Sequence, residues 1–140
     1  MDIRQLTPDF AVAPQITPED VTTLKEAGFT TVICNRPDAE VPPDLSAAAM
    51  QAAVEASGMT FVMNPVDGAA MTMENVEAQG TAADGAGPVF AYCRSGTRSC
   101  IVWALSRAGR MDTEAILDAC TKGGYDVGHL RGQIETMAGR

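Results

Sequence analysis

Three short apolar runs, residues 30–34, 59–64 and 88–92, are separated by longer amphipathic stretches, and this alternation restricts the chain to a small set of folds. Each run is too brief for a core helix and is rich in β-branched or aromatic residues. This is the signature of strands buried on both faces, as in parallel sheets. Strands alternating with helices at this spacing imply an α/β fold: a mainly parallel central sheet with helices on both faces. At 140 residues the chain has the length of one domain, expected to span 1–140.

The connecting segments carry readable punctuation. Residues 3–6 and 10–13 can pair as an opening hairpin around Thr7, Pro8 and Asp9. Thr17 as N-cap, Pro18 at N1, Asp20 at N3 and Gly28 beyond the last turn predict a helix over about 18–27. Asp44 or Ser46 opens an Ala-rich helix closing near Gly58. A break comes next, at Pro65-Val66-Asp67-Gly68. Thr72 starts a third helix that ends before the glycine-rich stretch 84–87. Helices are expected over 99–108, from Asp112 or Thr113 to about Lys122, and over about 127–138. In sheets of this kind ligands bind beyond the carboxyl ends of the strands. Cys34, Asn35, Asp67 and Cys93 all fall at such ends.

The formal net charge of −8 argues against a nucleic-acid partner, which needs clustered Lys and Arg to neutralise phosphates. No apolar run approaches the length of a membrane span, and the opening residues lack the apolar core of a secretion signal. A cytoplasmic protein with no membrane partner is the expectation. The four cysteines, Cys34, Cys93, Cys100 and Cys120, form no C-x-x-C pair and suit neither a disulfide framework nor a zinc site. No metal or organic cofactor is called for, and Cys100 and Cys120 read as core thiols.

Cys93 is set apart by the residues on its C-terminal side. The segment Cys93-Arg94-Ser95-Gly96-Thr97-Arg98-Ser99 joins the last apolar run directly to a helix. A tight turn there aims successive backbone N–H groups into one concavity at the positive end of a helix dipole, which suits an anion. The same field favours a thiolate, so Cys93 reads as a nucleophile. Arg98 can reach over the loop as a bidentate donor, with Arg94, Ser95, Gly96, Thr97 and Ser99 completing an anion-binding loop. Ser99 is expected to cap the helix or to donate its hydroxyl to the sulfur. Arg36, at the same rim, could help draw in an anionic substrate but is expected rather to pair with a neighbouring carboxylate such as Asp38. Cys34 could resolve an intermediate on Cys93 or be a buried thiol, and the only histidine, His129, reads as a surface residue.

Two resemblances sharpen this. Cys93 to Arg98 looks like the six-residue active loop of rhodanese-type sulfurtransferases. Residues 15–20, Gly28 to Asp38 and Pro65-Val66 resemble the beta-lactamase-hydrolase-like, phosphatase-like domain family, over nearly the whole chain. That second resemblance implies a compact dual-specificity-phosphatase-like fold, sometimes fused to or beside persulfide-oxidising enzymes, which would make such an enzyme a partner. The first implies sulfur transfer from a small anionic donor such as thiosulfate to a thiol acceptor, through a Cys93 persulfide. The second implies hydrolysis of a phosphorylated substrate through a phosphocysteine, with Asp67, after Pro65-Val66, as general acid. Cysteine phosphatases place five residues between Cys and Arg; here there are four, and Tyr92 stands where they carry His. On that spacing the sequence reading favours the sulfurtransferase over the phosphatase, with a non-turnover thiol or anion sensor as a third alternative.

Overall fold

Four consecutive residues of the last apolar run, Val89–Tyr92, form the central strand, and every one of them is buried. The computed structural model describes residues 1–67, 71–85 and 87–139. In chain order the strands are β1 (Arg4–Thr7), β2 (Phe10–Ala13), β3 (Thr31–Cys34), β4 (Thr60–Met63) and β5 (Val89–Tyr92). The helices are α1 (Val21–Glu26), α2 (Ala47–Ala56), α3 (Met73–Ala83), α4 (Thr97–Ser106), α5 (Thr113–Lys122) and α6 (Arg131–Ala138). The sheet runs β1-β2-β5-β3-β4. Only β1 is antiparallel, joined to β2 by the expected hairpin, with a register shift between Gln5 and Thr7. The other pairings are parallel, which fits the α/β reading.

Side chains alternate across the sheet with period two and so divide the core. Phe10, Val12, Ile33, Val89 and Ala91 face one layer, where Val102, Trp103, Ile116 and Ile134 from α4, α5 and α6 cover them. Ala11, Ala13, Val32, Cys34, Phe90 and Tyr92 face the other, against Val21, Leu24, Met50 and Val54 from α1 and α2. Trp103 stacks on Phe10 with ring centroids 5.8 Å apart.

Three local expectations are corrected. The helix expected over 18–27 opens as a single 3-10 turn, Pro18–Asp20, before α1 proper, and Thr17 N–H donates to the Asp20 carboxylate at 2.9 Å. Helix α4 begins at Thr97, two residues earlier than read, because Gly96 is its N-cap at φ +91°. Ser99 therefore caps nothing: it lies inside the first turns of α4, fully buried. Of the two candidate caps for α2, Ser46 is the one used, accepting from Ala49 N–H at 3.2 Å. Gly68 of the expected break and Ala86 of the glycine-rich stretch lie outside the described residues. Among the described residues no helix is long and apolar enough to cross a membrane.

Candidate active site

The loop after β5 turns through Gly96, and its geometry comes from that one residue. A φ of +91° is open to glycine at little cost. A Cβ there would stand 2.0 Å from the Tyr125 hydroxyl oxygen. Tyr125 closes the loop from outside: its hydroxyl donates to Ser95 C=O at 3.1 Å, and Arg4 lies over its ring, 5.2 Å from the centroid. Burial pushes the Tyr125 hydroxyl up to about 12, so it stays a donor at neutral pH.

Within this turn Cys93 is fully buried, and its Sγ accepts from Gly96 N–H at 3.1 Å. A backbone N–H directed at sulfur is the contact that the nest reading anticipates. Ser95 and Thr97 are bonded to each other at the rim, through Ser95 Oγ–H to Thr97 Oγ1 at 3.0 Å. Arg94 is exposed, and its carbonyl accepts from Gln15 N–H at 3.3 Å. Ser99 Oγ is buried in the first turns of the helix after Cys93, without a hydrogen-bond partner among the described residues.

Arg98 is held by partners that sequence reasoning missed. Its Nη1 donates to Glu40 Oε2 at 2.9 Å and to Val66 C=O at 2.8 Å, and its Nη2 donates to Glu40 Oε1 at 2.7 Å. These bonds use three of the five N–H groups of a guanidinium. The remaining two, on Nε and Nη2, share one edge of the plane, the fork that binds two oxygens of an anion. Hydrogen bonding to Glu40 holds Arg98 above its ordinary value, and the same contact holds Glu40 below the usual carboxylate range. Arg36 also turns to Glu40 rather than to Asp38, donating from Nη2 to the Glu40 carbonyl at 2.8 Å. Asp38 instead accepts from Ala47 N–H at 2.7 Å, at the start of α2. Nothing in the spacing distinguishes Glu40 from Asp38 or Asp44. The choice is made by the 3-10 turn Asp38–Glu40, which swings one carboxylate across to α4.

Asp67 comes directly after Val66, whose carbonyl anchors Arg98, and its charge is among those that Arg98 feels. Its carboxylate has no hydrogen bond or ion pair among the described residues. The structure thus brings Cys93, Arg98 and the Asp67 segment to one rim, with Asn35 behind them. Cys34 is buried and pairs in register with Tyr92, whose hydroxyl lies beside its thiol; burial raises both groups. Cys100 and Cys120 face each other between α4 and α5, where mutual hydrogen bonding and burial raise Cys100. His129 is exposed, far along the chain near α6.

The model of the family described as "Beta-lactamase hydrolase-like protein, phosphatase-like domain" matches residues 2–110. A beta-lactamase hydrolase-like protein from Agrobacterium fabrum is 34% identical over 111 residues, which cover 77% of this chain and 26% of that protein. The chain therefore spans about a quarter of that relative's length. Among solved structures, a candidate phosphatase from Neisseria meningitidis Z2491 is 29% identical with a TM-score of 0.81, covering 98% of this chain and 99% of that one. The core catalytic domain of the PP-IP phosphatase SIW14 from S. cerevisiae shares the fold, with a TM-score of 0.66 at 13% identity over 96% of this chain and 84% of that one. The fold is that of the cysteine phosphatases. These relationships favour the phosphatase reading over the sulfurtransferase that the four-residue spacing suggested.

Proposed function

We propose, from the premise that this chain belongs to the beta-lactamase hydrolase-like, phosphatase-like domain family, that it hydrolyses phosphate monoesters through a phosphocysteine on Cys93. The observation that carries this reading is the held guanidinium of Arg98, which presents its Nε–Nη2 edge and is fixed by Glu40 and Val66 on the other side.

The chemistry then runs in two displacements. The Cys93 thiolate attacks phosphorus, the S–P bond forms and the ester P–O bond breaks. Asp67, in its acid form, passes its proton to the departing oxygen. Arg98 and the N–H groups of the loop hold the non-bridging oxygens as charge moves onto them, and their fixed orientation means no reorganisation is needed at that moment. Water then attacks phosphorus, the S–P bond breaks, and Asp67 takes the proton the water loses. Phosphate leaves and the thiolate is restored. No step calls for a metal or organic cofactor.

A carboxylate without a partner of its own among the described residues suits this shuttle, since it gives up one proton and takes one back in each cycle. Asp67→Asn is therefore expected to lower kcat for an aryl phosphate on the order of a hundredfold with little change in stability. Phosphate release and thermal melting check both halves; an unchanged kcat would remove Asp67 from the mechanism.

The four residues between Cys93 and Arg98 favour a second reading, in which a smaller loop takes a sulfur donor. There the thiolate attacks the sulfane sulfur of thiosulfate, the S–S bond breaks, sulfite leaves and a Cys93 persulfide remains for a thiol acceptor. Asp67→Asn separates the two, because no leaving oxygen needs a proton in that reaction.

A further inference from the structure

A cluster of four amide side chains, three of them buried and Asn75 partly exposed, lies behind the rim, and neither the fold nor the chemistry above accounts for its presence. Asn35 and Gln79 are fully buried, and Asn64 is 4% exposed. Asn35 and Asn64 stand directly after β3 and β4, whose last residues, Cys34 and Met63, pair in register. Asn35 Nδ2 donates to Asn64 C=O and to Gln79 Oε1, both at 2.9 Å, and Gln79 Nε2 returns a bond to Asn35 Oδ1 at 3.0 Å. Asn64 Nδ2 donates to Gln79 Oε1 and to Asn75 C=O, both at 2.9 Å. Asn75 Nδ2 donates to Asn64 Oδ1 at 2.9 Å and to Pro65 C=O at 3.0 Å. All six side-chain N–H bonds of the three asparagines are thus engaged.

The consequence falls on the three residues leading to Asp67. Asn64 C=O is taken by Asn35 and Pro65 C=O by Asn75, while proline has no N–H to place. Val66 N–H donates to Asn35 C=O at 2.9 Å, and Val66 C=O accepts from Arg98. Each of these backbone groups beyond β4 is therefore fixed without a strand or helix to fix it. The Asp67 carboxylate, which has no partner of its own among the described residues, takes its position from this clamped backbone. An amide cluster is an expensive way to finish two strands, because each buried donor left unpaired costs free energy that an apolar side chain would not.

We propose that Asn35, Asn64, Asn75 and Gln79 are positioning residues that set the Asp67 carboxylate against the leaving oxygen and tie it, through Val66, to Arg98. The proposal rests on the phosphatase reading. Asn75→Asp is the selective probe. It keeps the Oδ1 that accepts from Thr72 N–H at 3.1 Å at the start of α3, and removes both donors to the Asp67 segment. Asn75→Ser, which removes the same donors without adding charge, is the second variant.

The experiment measures kcat and KM of the full chain, wild type and both variants, on phenyl phosphate and on 2,4-dinitrophenyl phosphate. Phenolate is a poor leaving group that needs a proton, whereas dinitrophenolate departs without one. Displacing the acid should lower kcat on phenyl phosphate about tenfold and leave dinitrophenyl phosphate within about twofold, with KM unchanged on both. The Asp67→Asn/Asn75→Asp double variant should lose no more than Asp67→Asn alone. Equal losses on the two esters, or no loss in either variant, would overturn the proposal while leaving the phosphatase reading intact. A wild-type chain that hydrolyses neither ester overturns both.

Discussion

Arg98→Lys should lower kcat/KM for an aryl phosphate about a thousandfold while leaving the fold in place. The charge survives this substitution, so the loss measures geometry. In the native chain Glu40 and the Val66 carbonyl occupy one side of the guanidinium plane, and the Nε–Nη2 edge is left to meet two oxygens at once. A lysine ammonium has three donors on one rotating nitrogen. It cannot satisfy Glu40, Val66 and an anion from opposite sides. Thermal stability should change little, because the Arg98–Glu40 pair is partly exposed and such pairs contribute modestly. Steady-state kinetics on the purified variant decide the matter. Activity within tenfold of wild type would mean that charge alone suffices and that the Glu40 anchor has no catalytic consequence.

Gly96→Ala should destabilise the protein by about 3 kcal/mol, combining a non-glycine residue at positive φ with overpacking. The new methyl would meet Tyr125 Oη at 2.0 Å, Tyr125 Cζ at 3.0 Å and the Ala13 carbonyl carbon at 3.3 Å, at a residue with φ +91°. The nearest of these atoms is a hydroxyl, so Tyr125→Phe in the Gly96→Ala background should recover part of the loss. Alone, Tyr125→Phe should cost about 1 kcal/mol, the worth of its bond to Ser95 C=O. Chemical denaturation of the two single variants and the double variant closes the cycle. If Gly96→Ala melts with wild type, the loop does not hold the conformation on which the Cys93 contact depends.

The framework was legible because it rests on local signals. The unbroken apolar run Val89-Phe90-Ala91-Tyr92 marks a strand buried on both faces, and Ser46 and Thr72 open the helices that follow them. The loop from Cys93 to Ser99 was legible for the same reason, since its residues are contiguous. Glu40 was not. It lies 58 residues before Arg98, and its loop holds other carboxylates with equal claim until a 3-10 turn selects one. The amide cluster was hidden likewise, since Asn35 and Gln79 are 44 positions apart and a polar residue after a strand ordinarily reads as a turn. One signal was available: an Asn follows one apolar run, at 35, and closes the next, at 64. The four-residue spacing and Tyr92 pointed to sulfur rather than phosphorus, whereas the family and fold relationships favour the phosphatase. Spacing fixes the size of the ring, but Asp67 and the Glu40 and Val66 anchors of Arg98 arrive from other loops.

A covalent bond between Cys93 sulfur and phosphorus is what separates the proposed phosphatase from a sulfurtransferase. The direct measurement is a rapid acid quench of the full chain during turnover of an aryl phosphate, then intact mass and peptide mapping, with thiosulfate in a parallel sample. One phosphoryl group is expected on the Cys93 peptide, absent in Cys93→Ser, and released as phosphate when the quench is delayed. A Cys93 peptide that gains sulfur from thiosulfate but never a phosphoryl group would contradict the phosphatase mechanism.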